Sequence, residues 1–82
     1  MEEVKFIYDY SRLTGRIKEK YGTQEEFAKA LGMGRVSLSQ RLNNRLEFRQ
    51  SEIKSAILLV EIPKDRIAGY FFTAIGTRLV EK

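Results

Sequence analysis

Between Lys29 and Arg49 the chain carries five basic side chains, Lys29, Arg35, Arg41, Arg45 and Arg49, against one acid, Glu47. That local excess of four equals the formal net charge of the whole protein, +4, so the positive field belongs to one segment. Val36, Ser39, Gln40 and Asn43 are interleaved with these bases. Such residue types recognise a partner rather than transform one. A guanidinium like that of Arg35 can bond guanine O6 and N7 together, a carboxamide like that of Gln40 can bond adenine, and Val36 can touch a thymine methyl. Each good bidentate pair discriminates between bases by ~1–3 kcal/mol. Arginines at 41, 45 and 49 suit phosphates, contacts that position a protein on a duplex without reading its sequence.

The remaining composition removes most other chemistries. There is no cysteine and no histidine, which excludes disulfides, thiolate zinc sites and the Ser-His and Cys-His forms of nucleophilic catalysis. The eleven acids stand singly or where helix starts favour them. The expectation is a binding protein and not an enzyme, with no catalytic residue, no metal and no cofactor, and no small-molecule substrate. No run approaches the ~18 apolar residues of a membrane span. The N-terminus, MEEVKFIYDY, carries acids where a signal peptide carries bases. A cytoplasmic location is expected, with no membrane partner. Eighty-two residues, 43% hydrophobic and 32% charged, suit one folded domain over 1–82 with a thin core.

The elements that must hold the polar set can be read in order. Alternation of Val4, Phe6 and Tyr8 with Lys5, Ile7 and Asp9 favours a short strand, with a frayed end as its rival. Asp9 or Ser11 can cap a helix whose stripe is Leu13, Ile17 and Tyr21 and which Gly22 ends. Thr23-Gln24-Glu25-Glu26 matches a capping box and starts a second helix, with Phe27, Ala28 and Leu31 inward and Gly32 closing it. Met33 is expected as a core plug between that helix and the next. Gly34 opens a third helix without a side-chain cap. Leu38 and Leu42 form its inner face, and Asn43-Asn44 stop it.

After a loop with Leu46 and Phe48 as expected inward anchors comes a fourth helix, Gln50 to Val60. Ile53, Ala56, Ile57 and Val60 share its inner face, and Leu58 and Leu59 are expected to widen it. Pro63 suits the first turn of a fifth helix with Ile67, Tyr70 and Phe71 inward. The end, FFTAIGTRLVEK, favours β structure and leaves Tyr70-Phe71-Phe72, Ile75, Leu79 and Val80 as more apolar surface than a small monomer easily buries. A homodimer interface built from the fifth helix and the 73–82 tail is the preferred use for it. A two-stranded ribbon with residues 4–8 is the alternative, and the two can coexist.

The stretch from Gln24 to Asn43 resembles the helix-turn-helix of the λ-repressor/Cro family over twenty residues. Gln24, the small Ala28, the turn glycine Gly32 and the buried Leu38 stand at the corresponding places. LNNRLEF, SEI and GYFF extend the likeness to small phage-encoded Cro-like regulators over about residues 10–72. Gly34 and Arg41 depart from the pattern, where serine and an apolar residue are common. The resemblance implies a mainly α, five-helix λ-repressor-like DNA-binding domain with its motif at 23–44, and short strands at the two ends remain compatible with it. It also implies a sequence-specific transcriptional regulator, a repressor of Cro type, in a bacterial host and associated with the nucleoid. Its partner would be double-stranded operator DNA, bound as a homodimer. Arg35, Val36, Ser39 and Gln40 would face base edges. Gln24, Asn43, Asn44, Arg45 and Arg49 would lie along phosphates, with Arg41 turning outward to join them. Two rivals stand beside this: a helix-turn-helix used as a protein-interaction module, such as an antirepressor, and a nonspecific nucleic-acid binder.

Overall fold

The computed structural model describes residues 2–81; Met1 and Lys82, the ends of the expected 1–82 domain, lie outside them. Its elements run β1 (Glu2–Tyr8), α1 (Ser11–Tyr21), α2 (Gln24–Leu31), α3 (Arg35–Leu42), α4 (Gln50–Leu59), a 3-10 turn (Lys64–Arg66), α5 (Ile67–Phe71) and β2 (Ala74–Glu81). The described residues are thus mainly helical, with five α-helices and one two-stranded antiparallel sheet.

Local chemistry sets most of these boundaries. The Asp9 carboxylate accepts the Ser11 N–H at 2.9 Å, and that bond holds its pKa below the usual value. The α1 stripe faces inward, with Leu13 and Ile17 buried, and Gly22 (φ 79°) ends the helix. Pro63 precedes the 3-10 turn as its N-cap. The core gathers one or two side chains from each helix: Leu13 and Ile17, Phe27 and Ala28, Leu38, Ala56, and Phe71, joined by Tyr10, Val60 and Ile62. Met33 and Leu42 pack partly buried against it.

Two expected inward residues point out instead. Leu58 is 78% exposed. Ala56 and Val60 are buried and Ile53 and Ile57 partly so, and residue 58 falls about 100° round the helix from 57, beyond the stripe. Leu46 is 47% exposed. The Arg45 and Leu46 N–H groups both fold back on Gln40 O, at 2.8 and 3.2 Å. That tight turn leaves Phe48 as the loop's inward anchor, stacked edge-on between Tyr10 (5.4 Å) and Phe71 (5.6 Å).

The tail takes the ribbon alternative. β2 pairs antiparallel with β1, Val4 opposite Leu79, Lys5 opposite Arg78 and Ile7 opposite Gly76, and skips Ile75 as a bulge before Tyr8 meets Ala74. In α5 Phe71 is buried in the core, as an inward residue of that helix should be. Phe72, Ile75 and Leu79 remain more than half exposed; the Val80 side chain lies outside the described residues.

Asn44 fastens the ribbon to the helices. Its side-chain amide accepts the Tyr8 N–H at 2.8 Å and donates to Tyr8 O at 2.9 Å. Its backbone sits at φ 62°, a left-handed conformation that asparagine tolerates better than most residues. Asn44→Gly keeps the backbone freedom but forfeits both bonds, an expected loss of about 1–3 kcal/mol. Asn44→Ala adds the left-handed penalty of about 1 kcal/mol. Urea unfolding should rank alanine below glycine; the reverse order would remove the conformational part of this account.

Candidate functional site

The polar set is carried by α2 and α3. Thr23 starts α2 by accepting the Glu26 N–H on Oγ1 at 3.2 Å. The other half of the expected box takes a different form, because the Glu26 carboxylate faces Lys29 Nζ at 3.5 Å. Gly32 closes α2 at φ 78°, with its N–H on Lys29 O and the Met33 N–H on Ala28 O, both 3.0 Å. These two crossed bonds return the last carbonyls of the helix to use. A Cβ at Gly32 would meet nothing within 4 Å. The glycine is there for its backbone angle, and close approach of α2 and α3 does not require it.

Gly34 then opens α3 without a side-chain cap. The fully buried Leu38 locks the helix over Phe27 and Ala28, which are buried in the same cluster. The opposite face of α3 is therefore presented outward by the core.

On that face one open concavity is lined by Gln24, Arg35, Val36, Ser39, Gln40, Asn43 and Arg45. Seven of the ten sequence-derived contact residues thus share one surface. Val36 is 71% exposed at its rim. Asn43 is partly engaged within the helix, donating from Nδ2 to Ser39 O at 2.9 Å and to Ser39 Oγ at 3.2 Å. Arg49 is exposed but stands apart, at the N-cap of α4.

Two expected phosphate contacts are used inside the protein. Arg41 does not turn outward: its Nε and Nη2 donate to the two Glu52 carboxylate oxygens at 2.8 and 3.2 Å, and its Nη1 donates to Ser37 O at 2.8 Å. This fork-to-fork pair is geometrically stringent and charge-assisted. It explains how an arginine fits where an apolar residue is common. Only 11% of the Arg41 and 16% of the Glu52 side chain is exposed. The Asn44 amide is bonded to Tyr8 through both its oxygen and its nitrogen, as described above.

Glu52 is the residue the sequence reading overlooked. It sits three positions into the α4 start and also accepts the Arg49 N–H at 2.8 Å, so it caps α4 and clamps α3 with one carboxylate. The R-x-x-E spacing at 49–52 was its available signal. Burial on its own raises the Glu52 pKa, but the bonds from Arg41 and Arg49 and their charges outweigh it and hold the carboxyl below its ordinary value. Arg78 is a second addition: its Nη2 donates to Asn44 O at 3.2 Å, bringing a cation of the ribbon beside the end of α3. No local pattern announces a contact 34 residues apart.

Residues 6–74 match a family model described as a protein of unknown function, DUF739. The chain belongs to that family. Among curated proteins none is similar enough to match. Among solved structures, the DUF739 chain is similar to the modulator of repression (MOR) of the temperate bacteriophage TP901-1 from Lactococcus lactis, determined in solution. The two are 42% identical, the match covers 79% of this chain and 88% of that one, and the TM-score is 0.70.

Proposed function

We propose that this DUF739 protein is a regulatory protein of a temperate phage that modulates repression by binding another protein, a repressor, through the exposed face of α3. The observation that carries this reading is the 42% identity with a phage modulator of repression across most of both chains. The chemistry of the face is compatible with it. Val36 and Leu46 expose apolar surface beside a polar concavity, a mixture found in protein interfaces with an anchor and a hydrogen-bonding rim. The engagement of Arg41 and Asn44 lowers the number of cations and amides offered to a phosphate backbone. Such a protein acts by binding in the host cytoplasm, with no catalytic step.

A second reading is a λ-repressor-like helix-turn-helix domain of Cro type that reads operator DNA itself. It is favoured by the gathering of Gln24, Arg35, Val36, Ser39 and Gln40 on one surface. The operator complex would be dimeric, with recognition helices about 34 Å apart.

Calorimetric titration separates the two. Against a purified temperate-phage repressor, the wild type should bind. The double variant Arg35→Ala, Gln40→Ala should bind roughly 10- to 100-fold more weakly, the effect of truncating one or two interface anchors, with unchanged circular dichroism. Titration against duplex DNA alone over a range of salt is the counter-test. Steeply salt-dependent and sequence-selective binding there, lost in the double variant, would replace the first reading with the second.

A further inference from the structure

The ribbon is a sheet of only two strands and so has two outer edges. On β1 the direction of the backbone groups follows from three bonds. The Asp9 N–H turns toward the tail and donates to Thr73 O at 2.8 Å. The Tyr8 N–H and C=O turn the other way, to Asn44. Backbone groups alternate along an antiparallel strand, and the bulge lies on β2 at Ile75, so the alternation along β1 is unbroken. Phe6 and Val4 therefore present their N–H and C=O on the same outer edge as Tyr8. Asn44 closes that edge at Tyr8 and leaves the run 2–6 as a template for another strand.

We infer that this edge pairs with the same edge of a second copy of the chain, antiparallel about a two-fold axis at Val4, to make a four-stranded sheet. Charge selects the register: with Val4 opposite Val4 of the second copy, Glu3 stands opposite Lys5, whereas centring on Lys5 would oppose two lysines and centring on Glu3 two glutamates. Within one ribbon Lys5 already faces Arg78, a like-charge rung. A Glu3 carboxylate from the second copy extends that rung with the opposite charge. On the other face the exposed Val4 and Leu79 become a continuous apolar row, Leu79–Val4–Val4–Leu79, across the four strands. A two-stranded ribbon is marginal by itself, and added strands supply what it lacks. The interface uses neither α5 nor the α3 face, so it is independent of what α3 binds.

Sedimentation equilibrium of the full chain over a wide concentration range tests this. The wild-type mass should rise toward twice the 9.5 kDa chain mass. Val4→Pro removes an N–H that points away from β2, so it should leave the ribbon folded and the protein monomeric. Lys5→Glu relieves the Lys5–Arg78 rung and should keep or raise the thermal midpoint while weakening association tenfold or more. Adding Glu3→Lys to it restores the opposite-charge pairing and should restore association. A wild type that stays monomeric at all concentrations would overturn the proposal. So would a folded Val4→Pro protein of undiminished dimer mass. If Val4→Pro fails to fold, the charge reversal and its rescue decide, and association indifferent to both overturns it.

Discussion

Phe71→Ala is expected to lower stability by roughly 3–5 kcal/mol, the cost of deleting a fully buried aromatic side chain and leaving its cavity. The ring is 2% exposed and meets Phe48 edge-on at 5.6 Å, which meets Tyr10 in turn at 5.4 Å. This aromatic line is the main route by which the last helix reaches the core, beside the partly buried Ile67 and Tyr70. α5 has only five residues, far fewer than a helix needs to persist alone, so its place depends on this packing. β2 follows three residues later, and its pairing with β1 depends on the same anchorage. In a domain whose total stability is on the order of 5–10 kcal/mol, the thermal midpoint should fall on the order of 20 °C. Phe71→Leu, which keeps most of the volume, should cost about 1–2 kcal/mol. Thermal and urea unfolding followed by circular dichroism check both. An alanine variant within about 1 kcal/mol of wild type would mean that α5 does not depend on this contact.

The second large effect is expected at the clamp between α3 and α4. Arg41→Ala leaves the Glu52 carboxylate largely buried, bonded only to the Arg49 N–H. Removing one partner of such a pair costs roughly 2–4 kcal/mol, mostly because the other charge stays desolvated. The same clamp makes stability depend on pH. The folded pKa of Glu52 lies below its ordinary value of 4.5. A depressed carboxylate contributes stability that is complete above the unfolded value and is lost as the pH falls through the folded one. Acid should therefore destabilise the wild type through this group, and Glu52→Gln should flatten that part of the profile while lowering stability at neutral pH. Equal acid slopes for the two proteins, measured by urea unfolding from neutral to acidic pH, would remove Glu52 from the account.

The α3 face was readable because its signals are local. Thr23 at a helix start, Gly32 at a helix end and Leu38 on an inner stripe place α3 in register. The register then turns Arg35, Val36, Ser39 and Gln40 outward. Arg41 and Asn44, expected along phosphates, are bonded within the protein. A polar side chain beside a recognition surface looks the same in sequence whether it meets a ligand or another part of its own chain. Their partners, Glu52 and Tyr8, lie 11 and 36 residues away. Leu46 and Leu58 failed differently: hydrophobicity marks a residue as able to be buried, and only the turn at Gln40 and the limits of the α4 stripe exclude them.

By itself the sequence determined the helices, the Thr23 and Gly32 caps of α2, most of the inward stripes and the outward polar face of α3. Each follows from backbone preferences and from the 3.6-residue period within a dozen residues of chain. It also placed the net positive excess in the segment 29–49. Only the tertiary structure decided which of those charges stay exposed. Burial between α3 and α4 converts Arg41 from a surface cation into half of a clamp, and Asn44 becomes the tie that fastens β1. Tertiary pairing likewise turned the two ambiguous ends of the chain into one ribbon, because strand register is set by a partner dozens of residues distant.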